Sequence, residues 1–130
     1  MSIKDGDRFT LRIGARSHTT YKVEVVVSPA ATKQGLSGRP FLRTGHGMLF
    51  IFGSLSKQGM WMIDMLFPLD IVWLDENLEV VHISAGCPPC PSVAQCPTYS
   101  SVYRAKYAIE MTAGEAGAYG FAVGKQLSVV

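Results

Sequence analysis

The chain is poor in charge. Charged residues make up 17% of it, against about 25% in ordinary soluble domains, while mean hydropathy is +0.19. Some of the apolar surface is expected to stay outside the core. Long apolar runs are missing too: the most apolar segment, Trp61 to Leu74, is broken by Asp64, Pro68 and Asp70. Nothing approaches the ~20 apolar residues of a membrane-spanning helix, so no membrane span is expected. Met1 to Thr10 carries Lys4, Asp5, Asp7 and Arg8 where an export signal would be continuously apolar. The expected location is cytoplasmic as synthesised, or within an assembled particle. Net charge is only +2, with Lys and Arg scattered along the chain. Without a basic cluster, nucleic acid is not an expected partner.

Catalytic signatures are equally scarce. No Ser, Cys or Asp sits in a nucleophile motif with a positioned His, and His18, His46 and His82 lie far apart. The glycines at 35–38 and 45–47 lack the spacing and the lysine of a phosphate loop and read as turns. The expectations are therefore no cofactor and no enzymatic activity.

What is present is a β pattern in a chain of 130 residues, the size of a single domain that buries roughly two thirds of its unfolded surface. Phe9, Leu11 and Ile13 alternate with polar residues, as do Tyr21, Val23, Val25 and Val27, which is the period of half-buried strands. Ser28-Pro29 supplies an N-cap and a first-turn proline for a short helix over Ala30 to Gln34, with Gly35 as its stop. Met48 to Phe52 and Met60 to Met65 are short apolar runs bounded by glycines and read as two buried strands. Ile71 to Leu74 and Val80 to Ile83 flank the polar tip Asp75-Glu76-Asn77 and form a hairpin. Residues 84 to 101 hold Pro88, Pro89, Pro91, Pro97 and all three cysteines, a composition that predicts a long loop. Tyr103 to Met111 alternates again, Gly114 to Gly120 reads as a compact turn with one helical turn, and Leu127 and Val129 give a last strand. About eight short strands with one or two helical turns predict an all-β domain: a small β-sandwich, jelly-roll-like, or an open barrel.

Several side chains are candidates for chemistry. Cys87, Cys90 and Cys96 follow C-x2-C-x5-C, and with His82 they match a Cys3His zinc ligand set. Plain thiols are the alternative in a reducing compartment. Asp64, Asp70 and Glu110 could supply converging carboxylates, although Asp70 after Pro-Leu reads as a turn anchor, and Glu110 as a solvent-facing residue or a partner of Arg39. Arg39, Trp61, Asp64 and Tyr99 could line a site for a small molecule or glycan, on which aromatic faces stack.

Read in order, Gly47-Met48-Leu49-Phe50, Trp61-Met62, Pro68-Leu69-Asp70 and Cys96-Pro97-Thr98-Tyr99 form a specific series. From about residue 21 to the C-terminus the chain resembles the domain of unknown function 192 family. The resemblance implies a compact all-β domain of the sandwich or jelly-roll kind, often exported, whose biochemical role is not established. It also implies that Cys90 and Cys96 pair in a disulfide, with Cys87 as the odd thiol. Where the family usually has Lys-Asn-Thr, this chain has Ile63, Asp64 and Met65. A polar strip has become largely apolar, so Met60, Met62, Ile63 and Met65 are the candidate interface residues. The leading expectation is a non-enzymatic module that self-associates or docks on protein partners in a larger assembly, such as a virion or tail. The alternative is the ligand-binding module, and a more distant one is a metal or redox protein that uses the cysteine loop.

Overall fold

Alternation builds the first two strands as expected. In the computed structural model, which describes residues 2–130, β1 (Arg8–Ile13) pairs antiparallel with β2 (Thr20–Val26). A short helix, α1 (Pro29–Gln34), follows; the Ser28 hydroxyl accepts its Ala31 N–H at 3.2 Å, and Gly35 ends it at φ 48°. Then come β3 (His46–Trp61), the hairpin of β4 (Leu69–Leu74) and β5 (Val80–Cys87), β6 (Thr98–Thr112), α2 (Glu115–Ala118) and β7 (Leu127–Val129).

All strands join one sheet in the order β5-β4-β6-β3-β2-β1-β7. Every pairing is antiparallel except β2 with β3, whose connection carries α1. The sheet curls until its two edges meet. There the Val80 N–H donates to the Lys125 carbonyl, and the Leu127 N–H to that of Leu78, each at 2.9 Å. The all-β expectation holds in its open-barrel form.

The curl gives the sheet two apolar faces. Inward-pointing residues (among them Leu11, Tyr21, Val23, Leu49, Val72, Ile109, Met111 and Leu127) fill the barrel. The outer face would be wet in a simple half-buried sheet. Instead Met48, Phe50, Leu69, Ile71, Trp73 and Ala108 form a second core there, covered by Leu36 after α1 and by Met62 and Met65 after β3. All six residues of β4 are buried. Two interiors in one small sheet account for the low charge content.

Three elements depart from the sequence reading. The two predicted strands Met48 to Phe52 and Met60 to Met65 belong partly to one 16-residue strand, β3, which runs on through Gly53 and Gly59. Beyond Ile51 and Tyr107, β3 and β6 pair only with each other and extend as a two-stranded ribbon with register shifts. The predicted long loop is also shorter, because β5 reaches Cys87 and β6 starts at Thr98.

Candidate interface residues Met62 and Met65 are corrected here: they are 0% and 8% exposed and lie in the outer core. Strand alternation does not carry past Trp61. The chain turns at Asp64, whose φ is 59°, and tucks both methionines inward. Met60 and Ile63 are half-buried. The four residues therefore do not make a docking strip.

Candidate functional site

Glu110 lies near the C-terminal end of β6, its register partners being Met48 on β3 and Ile71 on β4. Strand periodicity sends it to the outer face with Ala108, while Ile109 and Met111 enter the barrel. Because that face is roofed, Glu110 is only 5% exposed. It neither faces solvent nor meets Arg39, whose guanidinium pairs with Glu24 at 3.0 Å. Burial alone pushes the Glu110 carboxyl up to about 8, with no hydrogen bond or neighbouring charge contributing. No described residue bonds the carboxyl, and its oxygens reach the cleft that it lines.

That cleft has a volume of about 450 Å³. One wall comes from α1 and the turn after it, Thr32 to Ser37. The others come from Phe50, Phe52, Gly59 to Trp61 and Ile63 to Met65, with Val93 at the rim. The Gly38 N–H donates to the Asp64 carbonyl at 3.1 Å and ties two of these walls together. Phe52 is itself braced by Trp73, rings stacked at 6.3 Å. The cleft is thus a largely apolar, pre-formed concavity with a bare carboxyl among its lining groups, the arrangement typical of small-molecule sites.

The four candidate ligand residues divide. Trp61, 47% exposed, and Asp64 line this cleft. Arg39 lines a second groove of about 560 Å³ with Arg8, Lys22, Arg43 and His46. These cations, scattered in sequence, converge in space, but the acid among them, Glu24, is already paired with Arg39. Tyr99 packs on the outer core instead, and its phenol is raised by burial first and by Cys87 second. Glu110 was named as a candidate carboxylate but read as solvent-facing or as a partner of Arg39; its burial is what sequence reasoning missed. The signal was β4: a strand apolar at nearly every position demands cover on both faces, and that cover buries its neighbour β6 as well.

Asp70 behaves as the turn anchor it was read to be. It points away from the outer core, where Oδ1 accepts the Gly86 N–H at 2.8 Å and Oδ2 accepts those of Gly114 and Ala116 at 2.9 and 3.1 Å. It thereby caps α2 from a distant strand. Glu115, at the start of α2, accepts from the Tyr21 hydroxyl at 2.7 Å and the Gly45 N–H at 3.1 Å. Burial and then the Glu115 contact raise the Tyr21 phenol.

A disulfide joins Cys90 and Cys96, Cα atoms 4.9 Å apart. With both sulphurs committed, the His82, Cys87, Cys90 and Cys96 quartet cannot act as a thiolate zinc set. Among the described residues no other group of three or more His, Cys, Asp or Glu converges for a metal. Cys87 is buried on the outer face, and its thiol is pushed up to about 11, by burial first and then by the Asp70 and Glu110 charges. Such a thiol is a poor nucleophile.

An open β-barrel domain with a carboxyl-lined cleft on its outer face is the class that these features define. The chain belongs to the domain of unknown function 192 family, described as an uncharacterized ACR, whose model matches residues 10–129. Among solved structures it is similar to a candidate transcription regulator from Sinorhizobium meliloti 1021. Identity is 26%, the TM-score 0.83, and the match covers 99% of this chain and 98% of that one. A protein of unknown function from Novosphingobium aromaticivorans shares the fold at 21% identity and TM-score 0.81, covering 92% and 83% of the two chains. No curated protein matches the chain. No helix among the described residues is long and apolar enough to cross a membrane.

Proposed function

We propose that this protein is a non-enzymatic binding module that holds a small molecule in the cleft between α1 and the outer face of the sheet. The observation that carries this reading is Glu110, a buried carboxyl without a partner among the described residues, lining a largely apolar cleft. An unpaired buried acid is costly, and its offset here is a ligand group in the adjoining space. Trp61 and Asp64 are the rim contacts. A fragment screen followed by amide chemical shifts tests the reading: hits should perturb Gly35, Gly59, Trp61 and Asp64 together. Hits that cluster elsewhere, or a screen without hits, would overturn it.

Docking on other chains is the second reading, now supported by the ribbon of β3 and β6 rather than by the methionines. Leu55, Trp61, Val102 and Tyr103 are exposed along it at 36 to 59%, apolar side chains that a partner would cover. A partner or second copy on the ribbon predicts a mass above one chain in light scattering, reduced by Tyr103→Lys. A monomer at high concentration would count against it.

A further inference from the structure

The groups around the cleft are chemically one-sided. Two acids, Asp64 and Glu110, line it against a single base, Lys33. Lys33 is exposed in the last turn of α1, where its long stem can leave the ammonium in water. The buried acid has no such freedom. Phe50, Phe52 and Trp61 line the same space with the thioethers of Met60 and Met65. Aromatic rings attract cations through their negative faces, and a carboxyl in the same concavity supplies the counter-charge. An anionic ligand would meet two carboxyls there.

Resting on the binding reading above, we propose that the cleft takes a small organic cation, an ammonium group on an apolar body. The ammonium sits against Glu110 and the apolar part lies along Phe50, Phe52 and Trp61. A cation selects the ionised carboxyl, so its binding at neutral pH releases the Glu110 proton. A neutral ligand with a hydrogen-bond acceptor would select the protonated acid and show the opposite pH dependence. The other titratable groups around Glu110 are Lys33 on α1, Asp64 after β3 and Cys87 on β5. Asp70 lies on the opposite face.

Choline and its uncharged isostere 3,3-dimethylbutan-1-ol separate these cases by calorimetry on the intact protein. Choline should bind at least tenfold more tightly than the alcohol at pH 9. Its affinity should rise about tenfold between pH 7 and 9, the change in ionised fraction of an acid titrating at about 8. Glu110→Gln should erase both the preference and the slope while still admitting the alcohol. Trp61→Ala, at an exposed position that does not endanger folding, should weaken choline severalfold. If the alcohol binds as well as choline, the cleft is a ligand site and the cation assignment is wrong. If choline keeps its preference in Glu110→Gln, or is unaffected by Trp61→Ala, the assignment also fails. If neither probe binds, the cation assignment fails, and the fragment screen alone then decides the binding reading.

Discussion

Glu110 makes the stability of the fold depend on pH in a direction that can be worked out in advance. Its carboxyl titrates at about 8 in the folded protein against an ordinary value of 4.5. Between those values the folded state holds a proton that the unfolded state has released, so folding is linked to proton uptake and stability falls as pH rises. The full difference is up to about 5 kcal/mol, lost at about 1.4 kcal/mol per pH unit. Cys87 and Tyr21, also acids raised by burial, act in the same direction but at more alkaline pH. Asp5, lowered by the Ser28 side chain first and by backbone N–H groups of Ser28 and Val27, acts below the usual carboxylate range. Urea unfolding from pH 5 to 8 therefore isolates Glu110. Wild type should lose most of that stability across the interval, and Glu110→Gln, which mimics the protonated acid, should remain nearly flat and become the more stable protein at pH 8. A flat wild-type profile, or a variant that follows the wild-type slope, would refute the reasoning.

Three further outcomes test the fold. Gly47→Ala places a Cβ 2.6 Å from the Glu110 carbonyl oxygen and 2.9 Å from the Tyr21 ring; as backbone cannot yield cheaply, chemical denaturation should show a loss of about 2 kcal/mol or more, while Gly53→Ala, with open space around it, should lose under ~1 kcal/mol. Asp70→Asn weakens three backbone contacts and should cost about 1 to 3 kcal/mol, with the signals of Gly86, Gly114 and Ala116 shifting first in an NMR spectrum. Thiol titration of the unfolded, unreduced chain should find one free thiol, Cys87, and replacing both Cys90 and Cys96 by Ser should cost about 2 kcal/mol through the opened short loop.

Local signals carried most of the fold. The alternating residues of β1, β2 and β6, the Ser28-Pro29 cap and the polar hairpin tip are each decided by neighbours in sequence, and each was readable. Gly53 and Gly59 were read as strand ends because glycine usually punctuates. Neither adopts a positive φ here, so the strand passes through them and β3 becomes one element. The methionines failed for a different reason: alternation assigns faces only while a strand lasts, and Asp64 ends that regularity just where Met62 and Met65 turn inward. Half of the candidate site was visible, in Trp61 and Asp64. Glu110 was visible as a carboxylate but its burial was not, because a glutamate in an alternating strand looks solvated until something covers that face, and the cover comes from α1 and the turn after β3, both remote in sequence from β6.

Asp70 and Glu110 show why that burial matters. They sit on adjacent strands, Asp70 opposite Met111 and Glu110 opposite Ile71, and point to opposite faces of the sheet. Both are at most 5% exposed. Asp70 receives three backbone N–H groups, so its removal from water is compensated and its role is to join β4, β5 and α2. Glu110 receives none from any described residue, although a methionine or leucine in its place would complete the outer core without the desolvation cost. Folding alone therefore favours an apolar residue at position 110. A carboxyl that weakens the fold at every pH above its ordinary range is what the proposed binding reading would account for, through a ligand in the cleft beside it, since sites that break the local rules of a core are where function is expected.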